Sequence, residues 1–299
     1  MHRDRVSSLI HLYEDGALNR RELMRRLTQH TGTAAAALAV FESSGLAQTT
    51  APMCPAGVQV SEDDPAVLSQ TLTLYGEGGP LFAYQSLPRD YAASPRPAVL
   101  VIHENRGLND HIKDVTRRVA KAGYVAIAVD LLSRQGGTSQ FTDPEAATAA
   151  YNRTTPEERR QDMLSTLFTI RDQIYVTGSK LGVVGFCAGG GNVWDLVTNT
   201  DQLSAAVVFY GPPPPVEQVT NTAAPLLLIY AELDRGITGR MGAVLTALNT
   251  AQKRYELHIY ENTNHAFNND TGPRYDPAAA CDAWDKTLSF FDRHLMRNG

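Results

Sequence analysis

The sequence predicts an α/β fold in which a mostly parallel central sheet carries helices on both faces, preceded by a short N-terminal helical extension. Three observations lead to this prediction. From about residue 70 onward, short apolar runs alternate with longer segments of helical period, as in strands joined by crossover helices. Residues 98–103 form an apolar, β-branched run without a break, as expected for a strand covered on both faces. Residues 185–189 read Gly-Phe-Cys-Ala-Gly directly after another such run, which indicates a sharp strand-to-helix turn.

The individual elements follow from local patterns. The turn-rich residues 76–80 join the first two strands, which we expect to be antiparallel and at an edge of the sheet. Pro156 stands in the first turn of the longest helix, where its missing N–H is not needed. Residues 133–155 are expected to form a loop. The predicted strands are residues 70–75, 81–87, 98–103, 124–129, 181–184, 205–210, 226–230 and 255–260, and the predicted helices are residues 110–123, 156–175, 187–198, 238–251 and 277–296.

Composition narrows the class of protein. The 299 residues, of which 43% are apolar and 20% charged, are enough for one large domain and an appendage. A net charge of −5 and the lack of a basic stripe give no reason to expect a nucleic-acid partner. No stretch is long and apolar enough to span a bilayer, so no membrane partner is expected. The three cysteines, Cys54, Cys187 and Cys281, do not suggest a disulfide framework, which favours a reducing compartment and a cytoplasmic location.

The N-terminal region has two interpretations. Residues 1–46 are predicted to be a helical extension, and residues 47–57 a linker to a catalytic domain at residues 58–299. The pair Arg20-Arg21, followed by a mildly apolar run, resembles a twin-arginine export signal. Retained helices are the preferred interpretation, and export to the periplasm is the alternative. The apolar faces of retained helices need a surface to cover, so we expect a homodimer.

The motif at residues 185–189 places a cysteine where a strand turns into a helix. This is the nucleophile elbow of α/β-hydrolases, whose turn is so tight that Gly185 and Gly189 leave no room for side chains. The thiol of Cys187 is then exposed above the sheet, close to the N-terminus of the next helix. The partial positive charge at that terminus favours a thiolate. The sequence therefore predicts Cys187 as a catalytic nucleophile.

Two further groups complete the chain order nucleophile, acid, histidine. Asp234 follows the strand at residues 226–230, and His265 follows the strand at residues 255–260. Because parallel strands place their carboxyl ends at one edge of the sheet, we expect both side chains to lie beside Cys187. His265 would accept the thiol proton, and Asp234 would hold the imidazole in the required tautomer. Each residue alone is more often a cap or a surface group, but the ordered set predicts a triad.

The loop after the strand at residues 98–103 adds an oxyanion hole. In α/β-hydrolases one N–H comes from this loop and another from the residue after the nucleophile, here the backbones of Asn105 and Ala188. Loss of one such donor typically costs about 10²–10³ in rate. Glu104 has two alternative roles. It either holds and exchanges the thiol proton, or it is a loop acid in a salt bridge, for example with Arg106.

Taken together, these motifs resemble the dienelactone hydrolase family from about residue 70 to the C-terminus. Besides the elbow, the likeness is carried by residues 103–109, 231–234 and 264–270, which read His-Glu-Asn-Arg-Gly-Leu-Asn, Ala-Glu-Leu-Asp and Asn-His-Ala-Phe-Asn-Asn-Asp. The resemblance implies one α/β-hydrolase domain that uses the triad named above without cofactor or metal. It also implies that Glu104 keeps the thiol protonated until substrate displaces it. The implied substrate is an unsaturated lactone that bears a carboxylate.

One stretch departs from the best-studied branch of that family. That branch has an arginine shortly after the catalytic histidine, which binds the substrate carboxylate. Here residues 268–270 read Asn-Asn-Asp and contain no cation. Arg106 and Arg274 are the candidates to take over this role.

The sequence as a whole predicts a hydrolase of small lactones and activated carboxylic esters that acts through a Cys-His-Asp triad and an acyl-enzyme. Because sulfur is itself a good leaving group, enol and aryl esters are expected to outrank alkyl esters. Two alternatives stay open at this point. In an acyltransferase a second nucleophile replaces water, and in a thiol sensor or binding module Cys187 reacts with oxidants or electrophiles. No two histidines have a ligand-like spacing with a nearby carboxylate, so no metal is expected.

Overall fold

An eight-stranded sheet organises the larger of the two units into which the chain divides, Met1–Met53 and Cys54–Gly299. The computed structural model describes residues 6, 8, 9, 12, 20–43 and 54–297. The strands are β1 (Val67–Gly76), β2 (Gly79–Pro88), β3 (Arg96–Ile102), β4 (Val125–Val129), β5 (Val176–Phe186), β6 (Ala205–Phe209), β7 (Leu226–Ala231) and β8 (Tyr255–Tyr260). Their order in the sheet is β1-β2-β4-β3-β5-β6-β7-β8. β1 is antiparallel to β2 and β2 to β4, and the remaining pairs are parallel.

All the predicted strands are present, and the antiparallel pairing of the first two is confirmed. The expectation that both lie at the edge is wrong for β2, which also pairs with β4. The helices of the larger unit with more than one turn are α3 (Asp110–Lys121), α4 (Pro144–Arg153), α5 (Pro156–Arg171), α6 (Ala188–Asn199), α7 (Met241–Thr250) and α8 (Pro277–Phe291). Two helices of the N-terminal unit, α1 (Arg20–Thr31) and α2 (Ala34–Ser43), precede them in the chain.

Three helix predictions need correction. The segment predicted as a loop contains α4, whose Asp143 side chain accepts the Glu145 N–H as an N-cap ahead of Pro144. The predicted helix at residues 238–251 is a single turn, Arg235–Thr238, followed by α7. The last helix changes to a wider π turn after Phe291. Helix ends are weakly specified by sequence, because capping and the local pitch depend on tertiary contacts.

The core has two layers, one on each face of the sheet. Leu100 and Ile102 of β3 pack in the layer that contains Trp194 of α6. Val99 and Val101 face the other layer, which α3 and α8 cover. Every residue from position 97 to position 102 is buried, which explains the unbroken apolar run that predicted this strand. Because β3, β5, β7 and β8 run parallel, their carboxyl ends lie at the same end of the sheet. The loops that follow these strands carry the predicted site.

The N-terminal unit contains α1 and α2. The side chains of Leu23, Leu27 and Ala37 are completely buried in a small apolar cluster of this unit. Residues 47–53 of the predicted linker lie outside the described residues, and the homodimer stays a prediction. None of the helices in the described ranges is long and apolar enough to cross a membrane.

The structure contradicts the expectation that no cysteines pair. Cys54 and Cys281 form a disulfide across 227 positions of sequence, with their Cα atoms 5.1 Å apart. Cys281 lies on α8, and Cys54 lies at the start of the larger unit. The pairing could not be read from spacing, because the fold alone brings these two positions together.

Candidate active site

Cys187 lies at the junction of β5 and α6, in a backbone conformation that few residues adopt. Its φ is 55° and its ψ is −118°. A Cβ on Gly185 would lie 2.3 Å from the carbonyl oxygen of Gly189, and a Cβ on Gly189 would lie 2.4 Å from that of Ile102. Both glycines are required by close backbone approach. The tight turn expected from the glycine spacing is therefore present.

The Cys187 thiol is partly buried and lines a cavity of about 680 Å³. Burial, followed by the negative charge of Glu104, raises the pKa of this thiol to about 11. The Ala188 N–H at the start of α6 acts in the opposite direction but is outweighed. The expectation that the helix N-terminus yields a thiolate is wrong for the resting protein. The Cys187 thiol is therefore neutral in the resting protein.

His265 and Asp234, which follow the carboxyl ends of β8 and β7, form a hydrogen-bonded pair. The Nδ1 atom of His265 lies 2.6 Å from Oδ2 of Asp234. The backbone N–H of Leu233 donates to the carbonyl oxygen of Thr263 at 3.0 Å, which joins the two loops that carry the pair. When Nδ1–H donates to the carboxylate, Nε2 is left as an acceptor for a proton. His265 lines the same cavity as Cys187.

His103 fixes the loop that follows β3. Its ring is completely buried, its Nε2 accepts the N–H of Leu131 at 2.9 Å, and its Nδ1 lies 2.5 Å from the carbonyl oxygen of Glu104. Burial lowers the pKa of this imidazole, although the nearby carboxylate of Asp130 opposes that effect. The neutral ring can accept at Nε2 and donate at Nδ1 at the same time. His103 thus holds the loop in place without facing the cavity.

The side chain of Glu104 is bonded to Asn269, which the sequence prediction did not include. The Asn269 Nδ2 donates to Oε2 of Glu104 at 2.9 Å. A salt bridge from Glu104 to Arg106 is not present within the described part of the chain, and Arg106 lines the cavity instead. Asn269 follows His265 by four residues, inside a motif that had already been singled out. Its position in that motif is the sequence feature that could have indicated a role in the site.

The two predicted oxyanion donors are the backbone N–H groups of Asn105 and Ala188. Asn105 lines the cavity, and its backbone N–H has no acceptor among the residues that the structure describes. Ala188 is the first residue of α6, and its N–H acts on the Cys187 sulfur. Their role as an oxyanion hole stays a prediction.

The cavity wall contains both candidate arginines. Arg106 and Arg274 are exposed, and within the described ranges neither guanidinium has an ion-pair or hydrogen-bond partner. The N-terminal end of α4 adds Pro144, Glu145 and Thr148 to the wall, a contribution that the predicted loop over residues 133–155 does not include. In the same described residues, no three His, Cys, Asp or Glu side chains converge as they would around a metal ion.

Comparison with known proteins identifies the family. A sequence profile of the Dienelactone hydrolase family matches residues 82–295, which include every residue of the candidate site. The chain belongs to the dienelactone hydrolase family. An Escherichia coli O157:H7 protein assigned by name as a carboxymethylenebutenolidase is 30% identical over 271 residues, covering 86% of this chain and 98% of the relative. A Bradyrhizobium protein assigned by name as a 2-oxo-3-(5-oxofuran-2-ylidene)propanoate lactonase is 31% identical over 221 residues, covering 70% and 88%.

Solved structures agree with this membership in the dienelactone hydrolase family. The crystal structure of a Klebsiella pneumoniae protein assigned as a dienelactone hydrolase superposes with a TM-score of 0.71 at 28% identity. The match covers 76% of this chain and 99% of that one. The protein is therefore a hydrolase of the dienelactone hydrolase type, with the α/β-hydrolase fold.

Proposed function

We propose that this hydrolase opens lactones and activated carboxylic esters by covalent catalysis, with Cys187 as the nucleophile. His265 carries the proton, and Asp234 orients its ring. One observation carries the proposal: His265, whose ring is bonded to Asp234, lines the same cavity as the cysteine of the elbow. The family membership supports hydrolysis, and the arrangement of these three groups supports this route.

In the acylation step, His265 Nε2 accepts the proton of the Cys187 thiol as the sulfur adds to the substrate carbonyl carbon. The carbonyl electron pair moves to oxygen, which accepts hydrogen bonds from the Asn105 and Ala188 N–H groups. When the carbonyl re-forms, the bond to the leaving oxygen breaks and that oxygen takes the proton from His265. The product is a thioester on Cys187, and in a lactone the released end stays attached to it.

In the deacylation step, a water molecule gives a proton to His265 and adds to the thioester carbon. The sulfur then leaves and recovers its proton from His265, so that the net change is the addition of one water. A simple alkoxide is a poorer leaving group than sulfur, and its tetrahedral intermediate therefore reverts to ester and thiol. Enol and aryl oxygens leave more readily. This is why we expect enol-lactones and aryl esters to be the better substrates.

The resting thiol fits a nucleophile that is activated only in the complex. The raised pKa of Cys187 keeps it protonated and less reactive toward oxidants while the cavity is empty of substrate. In the complex, proton transfer to His265 is coupled to attack on a carbonyl whose developing charge is stabilised. Glu104, which helps to hold the thiol neutral, is bonded to a neutral amide from Asn269.

The substrate class follows from the two arginines on the cavity wall. Their guanidinium groups are available to a carboxylate, which they can bind through paired hydrogen bonds. Both relatives described above are named for substrates that are unsaturated lactones with a carboxylate. We therefore propose a carboxylated enol-lactone as the substrate, with Arg274 as a carboxylate ligand and Arg106 as a second cation.

The test is a covalent intermediate and its loss. The parent protein is mixed with p-nitrophenyl acetate, quenched in acid and digested, and mass spectrometry should find one acetyl group on the peptide that contains Cys187. Cys187→Ala should lose both the label and the hydrolysis, and His265→Gln should retain the thiol but hydrolyse far more slowly. If Cys187→Ala hydrolyses the ester as fast as the parent, the proposal is wrong.

We also infer that the chain works in an oxidising compartment, as in the export interpretation of the Arg20-Arg21 pair. A structural disulfide such as Cys54–Cys281 persists in the periplasm and is rare in the cytosol, which supports export over the predicted cytoplasmic location. Fractionation of the bacterial host should find the protein in the periplasm. Replacing both arginines with lysine should retain it in the cytoplasm. Equal distribution of the two proteins would count against export by this route.

A further inference from the structure

Arg274 is a cavity-wall residue whose side chain makes no hydrogen bond or ion pair to another described residue. It is exposed. Its position in the cavity wall therefore depends on the backbone of residues 270–277. That segment is held at both ends by parts of the chain that are far away in sequence.

The first attachment lies next to the arginine. The hydroxyl of Tyr275 donates to the carbonyl oxygen of Cys54 at 2.8 Å and is 3.2 Å from that of Pro55. The Cys54 N–H donates to the carbonyl oxygen of Pro277 at 3.3 Å. The disulfide to Cys281 joins the same residue to α8. Residue 54 is thus fastened both to the loop that carries the arginine and to the helix that follows it.

The second attachment is a buried ionic network. Asp270 is buried, its Oδ1 lies 2.8 Å from Nδ1 of His111, and its Oδ2 accepts from Arg118. Arg118 also donates to Asp114, which in turn accepts the backbone N–H groups of residues 59–60 at 3.1 and 2.8 Å. A buried carboxylate needs such partners to stay charged. The network links the segment before β1 to the other end of the loop.

We propose that residues 54–60, which we call the strap, position Arg274 to bind the carboxylate of the substrate, and that the Cys54–Cys281 disulfide fastens the strap. This rests on the proposed function, in which Arg274 is a carboxylate ligand. No hydrogen bond joins the strap to Cys187 or to His265 within the described part of the chain. Loosening the strap should therefore weaken recognition of the carboxylate and spare the chemistry.

The expected effect is moderate. Without the disulfide, residues 54–55 are held by a few partly exposed hydrogen bonds, for which water competes. Paired hydrogen bonds between a guanidinium and a carboxylate depend strongly on geometry, so a small displacement of Arg274 removes part of that contact. We expect the KM for a carboxylated ester to rise about fivefold, with kcat within about twofold of the parent.

The experiment compares two esters of equal acyl length, mono-p-nitrophenyl glutarate and the neutral p-nitrophenyl pentanoate. The enzymes are the oxidised full chain, Cys54→Ser/Cys281→Ser, and Tyr275→Phe, which keeps the disulfide and removes the hydroxyl. The double variant should raise the KM for the glutarate ester about fivefold and leave the neutral ester unchanged, and Tyr275→Phe should do the same to a smaller degree. If the double variant does not fold, Tyr275→Phe tests the same attachment.

Arg274→Gln tests whether the rise in KM for the glutarate ester acts through Arg274. When Cys54→Ser/Cys281→Ser is added to Arg274→Gln, the KM for the glutarate ester should not change further, because the arginine that the strap positions is already gone. A further rise in the KM for the glutarate ester, or equal changes in KM for the two esters, overturns the proposal that the strap positions Arg274. Hydrogen exchange of residues 270–277 gives a readout without catalysis: it should speed up in the serine variant, and unchanged exchange overturns the proposal. If the oxidised parent hydrolyses neither ester, the proposed function fails instead.

Discussion

Replacing Glu104 with Gln tests what keeps the nucleophile protonated. The substitution removes one negative charge beside the thiol and leaves an oxygen that can still accept from Asn269. Burial is the larger cause of the raised pKa of Cys187, and Glu104 is the next. A neighbouring charge typically changes a pKa by about one unit or more. Removal of the carboxylate should therefore lower the pKa of Cys187 from about 11, while burial keeps it above its ordinary value. At any pH below the lower of the two values, the variant should contain about ten times more thiolate.

The assay is alkylation by iodoacetamide, because the thiolate is the reacting form. Cys187 is the free cysteine of the described chain, since Cys54 and Cys281 are paired. Between about pH 6 and about pH 9, the rate for the parent should rise about tenfold per pH unit without levelling off. The rate for Glu104→Gln should follow a parallel line about tenfold higher. Mass spectrometry of the intact protein gives both rates.

Glu145→Gln is the matched control. Glu145 lies on the wall of the same cavity, is exposed, and is not among the main causes of the raised pKa of Cys187. Its alkylation rate should stay within about twofold of the parent, because solvent screens an exposed charge. An unchanged or slower rate in Glu104→Gln would refute the reasoning. Equal acceleration in both variants would show that the charge of the whole cavity matters rather than Glu104.

Three further predictions concern the site and its support. Asp234→Asn should lower kcat for p-nitrophenyl acetate by about 10³–10⁴, since the imidazole loses its orienting charge, while alkylation of the thiol changes little; an unchanged kcat contradicts the triad. Cys54→Ser/Cys281→Ser removes a disulfide that spans 227 positions. Because the disulfide restricts the unfolded chain, its loss should lower the free energy of unfolding by up to about 5 kcal/mol and the thermal midpoint in circular dichroism by up to about 10–15 °C. An unchanged midpoint contradicts a structural disulfide. Gly189→Ala brings a Cβ to 2.4 Å from a carbonyl oxygen and should lower the midpoint by about 5 °C or more with loss of activity, whereas Gly242→Ala, where nothing lies within 4 Å of the Cβ, should be neutral.

Much of the fold could be predicted because its strands are buried on both faces. A strand such as β7, in which every residue is buried, appears in the sequence as an apolar run whatever its neighbours are. The triad candidates could be predicted for a related reason. Their chain order and their places after successive strands depend on topology, and the carboxyl edge of a parallel sheet is set by that topology. Local pattern and fold therefore agree at these positions.

What escaped prediction depends on contacts between distant segments. The pairing of Cys54 with Cys281 and the bond from Asn269 to Glu104 each join positions more than a hundred residues apart. The helix N-terminus, a local effect, predicts a thiolate at Cys187, whereas burial and the carboxylate of Glu104 from another loop keep the thiol protonated, as the family resemblance implies. The spacing of two residues along the sequence does not by itself show that they are in contact. These contacts form only in the folded chain.

The charge balance of the cavity leads to a last prediction. Asn269 is neutral, and no cation forms an ion pair with Glu104 among the residues that the structure describes. Glu145 adds a second carboxylate to the wall. A carboxylated substrate brings a third negative charge, which Arg106 and Arg274 must offset. Because both arginines are exposed, salt should screen that attraction. Between about 0.05 and about 0.5 M NaCl, the KM for mono-p-nitrophenyl glutarate should rise severalfold, while that for p-nitrophenyl pentanoate stays level or falls. A parallel response of the two esters would mean that the arginines do not hold the acid group.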